Sequence, residues 1–202
     1  SGVGDFYLPH RLKGSFEGKL FNREIFIKAL SDLDSLTFDF KGLADTNLIN
    51  EMTNLSLGNY LNGTFEYSAQ MSFPMKITDS PKFSLGTNLG GMSLKFPQPF
   101  KKGPDENIDF EINIDFAADK ELVYLSYATH DLFFTVRDGE VVNGAIALSG
   151  NPLPVALPEN TGLVTGSLDQ IEMTNFTDFF EVFFFKRIVE KLRTRTSQRF
   201  SL

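Results

Sequence analysis

The chain contains no cysteine and no tryptophan, and it has only two histidines, His10 and His130. Without cysteine there are no disulfides, no thiolate metal sites and no cysteine nucleophile. The two histidines lie far apart in sequence, and each reads as a surface or hydrogen-bonded side chain rather than a ligand. No apolar run approaches the ~18 residues that a bilayer-spanning helix needs, and no secretory leader is visible. The chain opens Ser1-Gly2-Val3-Gly4 without an initiator methionine, which reads as an internal piece of a longer protein.

Catalytic motifs are missing too. There is no phosphate-binding glycine loop, no His-Glu-x-x-His, no EF-hand loop and no Gly-x-Ser-x-Gly. Paired carboxylates occur at Asp32/Asp34 and Asp109/Glu111, and the second pair, on the solvent face of the cleanest strand, reads as solubilising charge. The acidic group Asp105, Glu106, Asp109 and Glu111 matches no calcium loop spacing. Asn-x-Ser/Thr tripeptides at Asn54, Asn62 and Asn175 carry little information. The expectation is a non-catalytic protein that uses no metal and no cofactor.

What the chain has in excess is phenylalanine, 22 in 202 residues, with 42% hydrophobic residues in all. Phenylalanine supplies large apolar area and no polar handle, so it suits a dense core or a lining for something greasy. The net charge of −7 is unevenly spread. Residues 1–185 hold 13 Lys/Arg against 25 Asp/Glu, whereas residues 186–202 hold six basic residues against Glu190. The acidic body argues against nucleic acid as a partner. The basic tail reads as the solvated C-terminal end of a helix, or as a contact for anionic lipid headgroups or an acidic protein.

Apolar and polar residues alternate with period two along much of the chain, and Ile108 to Phe116 is the clearest case. Five large apolar residues fall on one face there, and Asp109, Glu111, Asn113 and Asp115 fall on the other. That is a strand with one greasy and one wet face. Similar patterns cover 12–20, 35–40, 64–73, 83–87, 92–96, 122–127, 132–136, 141–148 and 163–174. Gly90-Gly91 marks a bend, and Arg137-Asp138-Gly139-Glu140 carries the Asp-Gly signature of a tight hairpin. Two segments predict helices. Thr46 to Leu57 is short; Phe176 to Arg193 is longer, with Thr177 as N-cap and a first half that is apolar nearly all round. The predicted fold is mainly β. It divides into an antiparallel sheet over residues 1–175, with a short helix near 46–57, and a phenylalanine-rich helix with a basic tail over residues 176–202.

Residues 82–104 add a resemblance. Thr87, Asn88, Leu89 and Gly91 end one strand, and Phe96, Pro97, Pro99, Phe100 and then Lys101-Lys102 follow. This resembles the AsmA-like superfamily of Gram-negative envelope proteins, specifically its long YhdP-type branch. Leu61-Asn62-Gly63-Thr64 upstream and Gly162 to Asp169 downstream resemble strand starts of the same branch. After Asp178, where the branch often carries an aromatic such as tryptophan, this chain continues Phe179-Phe180. The resemblance implies a long curved antiparallel sheet forming an apolar groove in the periplasm, tethered to the inner membrane by a segment outside these residues. It also implies a bridge-like transfer role, with phospholipid as the partner and acyl chains shielded in the groove. The expected lining is Leu85, Met92, Leu94, Phe96, Phe110, Ile112, Ile114 and Phe116. Phe179, Phe180, Phe183, Phe184, Lys186 and Arg187 are expected to contact a membrane or a protein partner of the envelope. The competing expectation is a β-sandwich scaffold or protein-interaction module, in which the same apolar residues form a closed core.

Overall fold

The fold follows from the period-two patterning, which needs one face of each strand turned away from water. The computed structural model describes residues 2–7, 11–53, 57–76, 78–153 and 157–167. The expected helix Phe176–Arg193, with Phe179, Phe180, Phe183, Phe184, Lys186 and Arg187, lies outside the described residues.

Twelve strands and one helix are present among the described residues: β1 (Gly2–Tyr7), β2 (Arg11–Leu20), β3 (Arg23–Ser31), β4 (Ser35–Asp45), α1 (Thr46–Thr53), β5 (Leu61–Pro74), β6 (Lys82–Thr87), β7 (Met92–Leu94), β8 (Phe110–Ala117), β9 (Lys120–Tyr127), β10 (His130–Arg137), β11 (Glu140–Ala147) and β12 (Gly162–Thr165). Eleven of them form one open sheet in the order β1-β2-β3-β4-β5-β6-β8-β9-β10-β11-β12, and β7 pairs with β5. Every pairing along the sheet is antiparallel except β11–β12, which is parallel. A parallel neighbour requires a crossover. Here the carbonyl of Leu157, in the connection after β11, accepts a hydrogen bond from Asn143 Nδ2 at 3.2 Å.

Turn chemistry explains the tight connections. Asp138 and Gly139 both have positive φ, 52° and 73°, as an Asp-Gly hairpin needs. Phe21 and Asn22 do the same between β2 and β3, at 47° and 64°, although that pair carries a weaker sequence signal. Asp45 is the N-cap of α1, its Oδ1 accepting the Leu48 N–H at 2.8 Å. The helix is described over Thr46–Thr53, and residues 54–56 of the segment predicted to be helical lie outside the described residues.

Among the described residues a closed core lies at one end of the strands. Ala44, Leu48, Leu57, Leu61, Phe65, Leu89, Met92, Leu94 and Tyr127 form it, and Met92 is 1% exposed. It exists because β7 does not continue the sheet beside β6. It pairs instead with the start of β5, Leu61 opposite Leu94 and Gly63 opposite Met92. The segment between β6 and β8 therefore folds back over the strand ends with α1. The buried Lys102 ties this cap down, its Nζ donating to the carbonyls of Met92 at 2.7 Å and Gly103 at 2.8 Å. Burial pulls the Lys102 pKa below the usual lysine range, against the charges of Glu106 and Asp105.

Candidate functional site: an apolar band across an open sheet

Register turns separate strands into a continuous surface. In a sheet, residues paired across strands share a face. Starting from Phe16 on β2, the pairings run Phe16–Ile27–Phe40–Ala69–Leu85–Ile112–Leu125–Leu132–Ile146–Val164. Ten consecutive strands each contribute an apolar side chain to this row. The adjacent row on the same face runs Gly14–Ala29–Phe38–Met71–Phe83–Ile114–Val123–Phe134–Gly144–Gly162 and contains no polar residue. With neighbouring strands ~4.8 Å apart, ten strands make a band roughly 43 Å long.

Most of this band is neither closed nor fully open. Ile27, Phe38, Phe40, Phe83, Leu85, Ile112, Ile114, Leu125, Leu132, Phe134 and Ile146 are all half-buried. Exposure rises towards the ends, to 46% at Phe16 and 64% at Val164. Bulky neighbours on one face shield each other, which buries Ala29 and Ala69 between them.

The opposite face differs along its length. From β2 to β8 its central row reads Ser15–Lys28–Asp39–Gln70–Ser84–Asn113, and Gln70 Nε2 donates to Asp39 at 2.8 Å. A depression of about 610 Å³ lies on this polar side, lined among others by Lys28, Lys41, Ser68, Ser84, Gly86 and Glu111. From β9 to β12 the same row becomes Tyr124–Phe133–Ala145–Leu163. There Ala145 and Ala147 are buried while Tyr124 is exposed, and Asn143, on the same face of β11 as Ala145, donates to the Leu157 carbonyl.

The eight residues expected to line a groove divide between two places. Leu85, Ile112 and Ile114 stand in the two central rows, and Phe116 follows on the same face of β8. Phe110 is opposite Tyr127 and packs against the closed core. Met92 and Leu94 are not on the band at all: they are buried in the closed core, and Phe96 stacks on Tyr60 at 5.7 Å. The physical reason is the pairing of β7 with β5, which takes residues 92–96 out of the register of β6 and β8. Most other members of the rows, among them Ile27, Phe83, Leu125, Phe134 and Ile146, are band residues that strand-by-strand alternation does not single out. Parity places each on a face of its own strand, but only the register shows that the faces coincide.

Charged and polar groups sit at the strand ends. Arg23, which shares its face with Ile25 and Ile27 along β3, makes a two-pronged pair with Asp45 at 2.7 and 2.8 Å. Burial works to raise the Asp45 carboxyl, but the Leu48 N–H and the Arg23 guanidinium together bring it below the usual range. At the capped end, the Tyr127 hydroxyl donates to the Phe100 carbonyl at 3.2 Å, and burial with the nearby Glu106 charge pushes its pKa up to about 12. Among the described residues no group of three His, Asp or Glu side chains is placed to hold a metal ion, and no helix is long and apolar enough to cross a membrane.

His130 joins the cap to the crossover. The ring is buried, meets Phe100 edge-on at 5.8 Å, and accepts the Ser149 N–H on Nδ1 at 3.1 Å. That bond requires an unprotonated Nδ1. Burial depresses the His130 pKa, against the pull of Asp131. A depressed base leaves the folded chain with fewer bound protons than the unfolded chain, so its stabilisation is present above the ordinary histidine pKa and is lost as pH falls. Urea unfolding between pH 7.5 and 5 is expected to show falling stability. His130→Asn, whose amide oxygen can accept the same N–H, is expected to flatten that part of the profile. An unchanged slope in the variant would assign it to other groups.

The comparisons with known proteins add no relative to this geometry: no protein-family model, no curated protein and no solved structure matches the chain.

Proposed function

We propose that the chain is a segment of a lipid-carrying bridge, in which the apolar band is a track for phospholipid acyl chains. The observation that carries this reading is the row from Phe16 to Val164, ten strands long without a polar interruption and half-buried over most of its length. A closed core needs apolar residues wherever the fold places them. A lipid track needs them in one uninterrupted line, on a face that a ligand can reach. Each methylene taken out of water contributes about 0.8 kcal/mol. Binding spread evenly along the row favours no single position, so an acyl chain can slide along it. No nucleophile, base or metal takes part.

The resemblance of residues 82–104 and 162–169 to the YhdP-type branch of the AsmA-like superfamily supports the same reading. It extends the proposal to a groove-forming curvature, a periplasmic location and an inner-membrane tether outside these residues. The scaffold reading requires a second layer over the band; all eleven strands along the path belong to one sheet.

The test is site-specific photo-crosslinking along β8. Probes at Ile112 and Ile114 are expected to capture phospholipid, whereas probes at Glu111 and Asn113, on the other face of the same strand, are expected to capture none. Equal labelling at both parities, or no adduct at either with the protein folded, would sink the track.

A further inference from the structure

One rim of the sheet holds a cavity that the track reading does not use. It is an open depression of about 510 Å³, lined by Phe21, Asn22 and Arg23 from the β2–β3 hairpin, by Asp45 at the end of β4 and by Asn47, Asn50 and Glu51 of α1. Resting on the lipid-track reading, we propose that this rim cleft receives the zwitterionic headgroup of a phospholipid, of the ethanolamine type, and so selects the lipid that the band carries.

Position comes first. Arg23 stands two residues before Ile25 and four before Ile27, on the same face of β3. Ile27 belongs to the central row of the band, paired with Phe40. The cleft and the band thus share one face of β3, with the buried Ile25 between them. A headgroup at the cleft stays at the watery strand ends while its chains leave water.

Charge comes second. The Arg23 guanidinium is committed to Asp45 through two short bonds, and its other end donates to the Phe21 carbonyl at 2.7 Å. The Arg23–Asp45 pair is thus internally neutral. Glu51 is 3.8 Å from Arg23 and half-exposed, so the cleft as a whole carries one net negative charge at its mouth. That charge attracts an ammonium and repels a headgroup whose only charge is a phosphate.

Hydrogen-bonding capacity comes third. Asn50 Oδ1 accepts the Leu57 N–H at 2.8 Å, which leaves the Asn50 amide N–H groups as donors. Asn22 and Asn47 are exposed beside it. Amide donors next to a carboxylate match a phosphate next to an ammonium. A purely anionic lipid satisfies the donors and meets Glu51 with the wrong sign.

The experiment loads the 202-residue chain from vesicles of equimolar dioleoyl phosphatidylethanolamine and dioleoyl phosphatidylglycerol, then counts the lipids recovered with it. Phosphatidylethanolamine is expected to be enriched about fivefold. Glu51→Gln is expected to bring the ratio close to one with total lipid unchanged, and Glu51→Lys to favour phosphatidylglycerol. Glu51 is exposed enough that neither change threatens the fold. Bound lipid without headgroup preference, or a preference that survives both substitutions, overturns the cleft and leaves the track standing. Recovery of no lipid at all overturns the track and the cleft together.

Discussion

Gly63→Ala is expected to lower the stability of the chain by about 3–5 kcal/mol, the combined scale of a strained positive φ and a backbone overlap. Gly63 has φ +119°, which side-chain-bearing residues rarely adopt, and a Cβ there would lie 2.1 Å from the Gly91 carbonyl oxygen. The clash cannot be relieved by rotating a side chain, because both partners are backbone. Gly91 answers with φ +85° and a Cβ direction that points 2.6 Å from the Thr64 carbonyl oxygen. Two glycines thus let β7 cross close against the start of β5 and bring Met92 into the closed core. Gly18 is the control: a Cβ at that position meets nothing within 4 Å, so Gly18→Ala is expected to be neutral or slightly stabilising. Urea unfolding of the two variants checks this. Equal midpoints would mean that the close crossing of β5 and β7 does not exist in solution.

The same crossing marks the boundary of what the sequence discloses. Alternation identifies most strands, because a half-wet sheet imposes period two on each strand independently. It fails at β3, where Ile25, Phe26, Ile27, Ala29 and Leu30 are apolar on both parities. Phe26 and Leu30 face the wet side and are 41% and 44% exposed, so no pattern announces the strand. The Asp-Gly hairpin at Asp138-Gly139 is legible because it needs two positive φ values that few pairs accept. The Phe21-Asn22 turn needs the same and is supplied by a residue rarely found there. Met92, Leu94 and Phe96 alternate as well as Ile112 and Ile114 do. What separates them is the strand each pairs with, a non-local choice that no local pattern contains. The cavity at the rim is likewise invisible in the sequence, because Arg23 and Asp45 are 22 positions apart and meet only when β3 and β4 pair.

Placing a carboxylate in the middle of the band separates a track from a surface that merely happens to be apolar. Ile112 stands between Leu85 and Leu125, near the midpoint of the row. Ile112→Asp is expected to cut the lipid captured by a probe at the neighbouring Leu125 at least about tenfold, because a charge pressed against acyl chains loses hydration worth several kcal/mol with nothing to replace it. Asn113→Asp introduces the same charge one residue away, on the face that already carries Asp39 and Glu111, and is expected to leave lipid capture unchanged. If chains travel along the row, the loss is not confined to the substituted strand. A crosslinking probe at Leu132, beyond Ile112, is expected to lose its adduct when lipid is supplied from the β2 end, while a probe at Phe40 keeps it. Loss at both probes would indicate damage to the fold, which the urea midpoint of the variant detects directly. Retention at both would show that the chains do not pass over Ile112, and the continuous row would then have to be explained as packing for another protein surface.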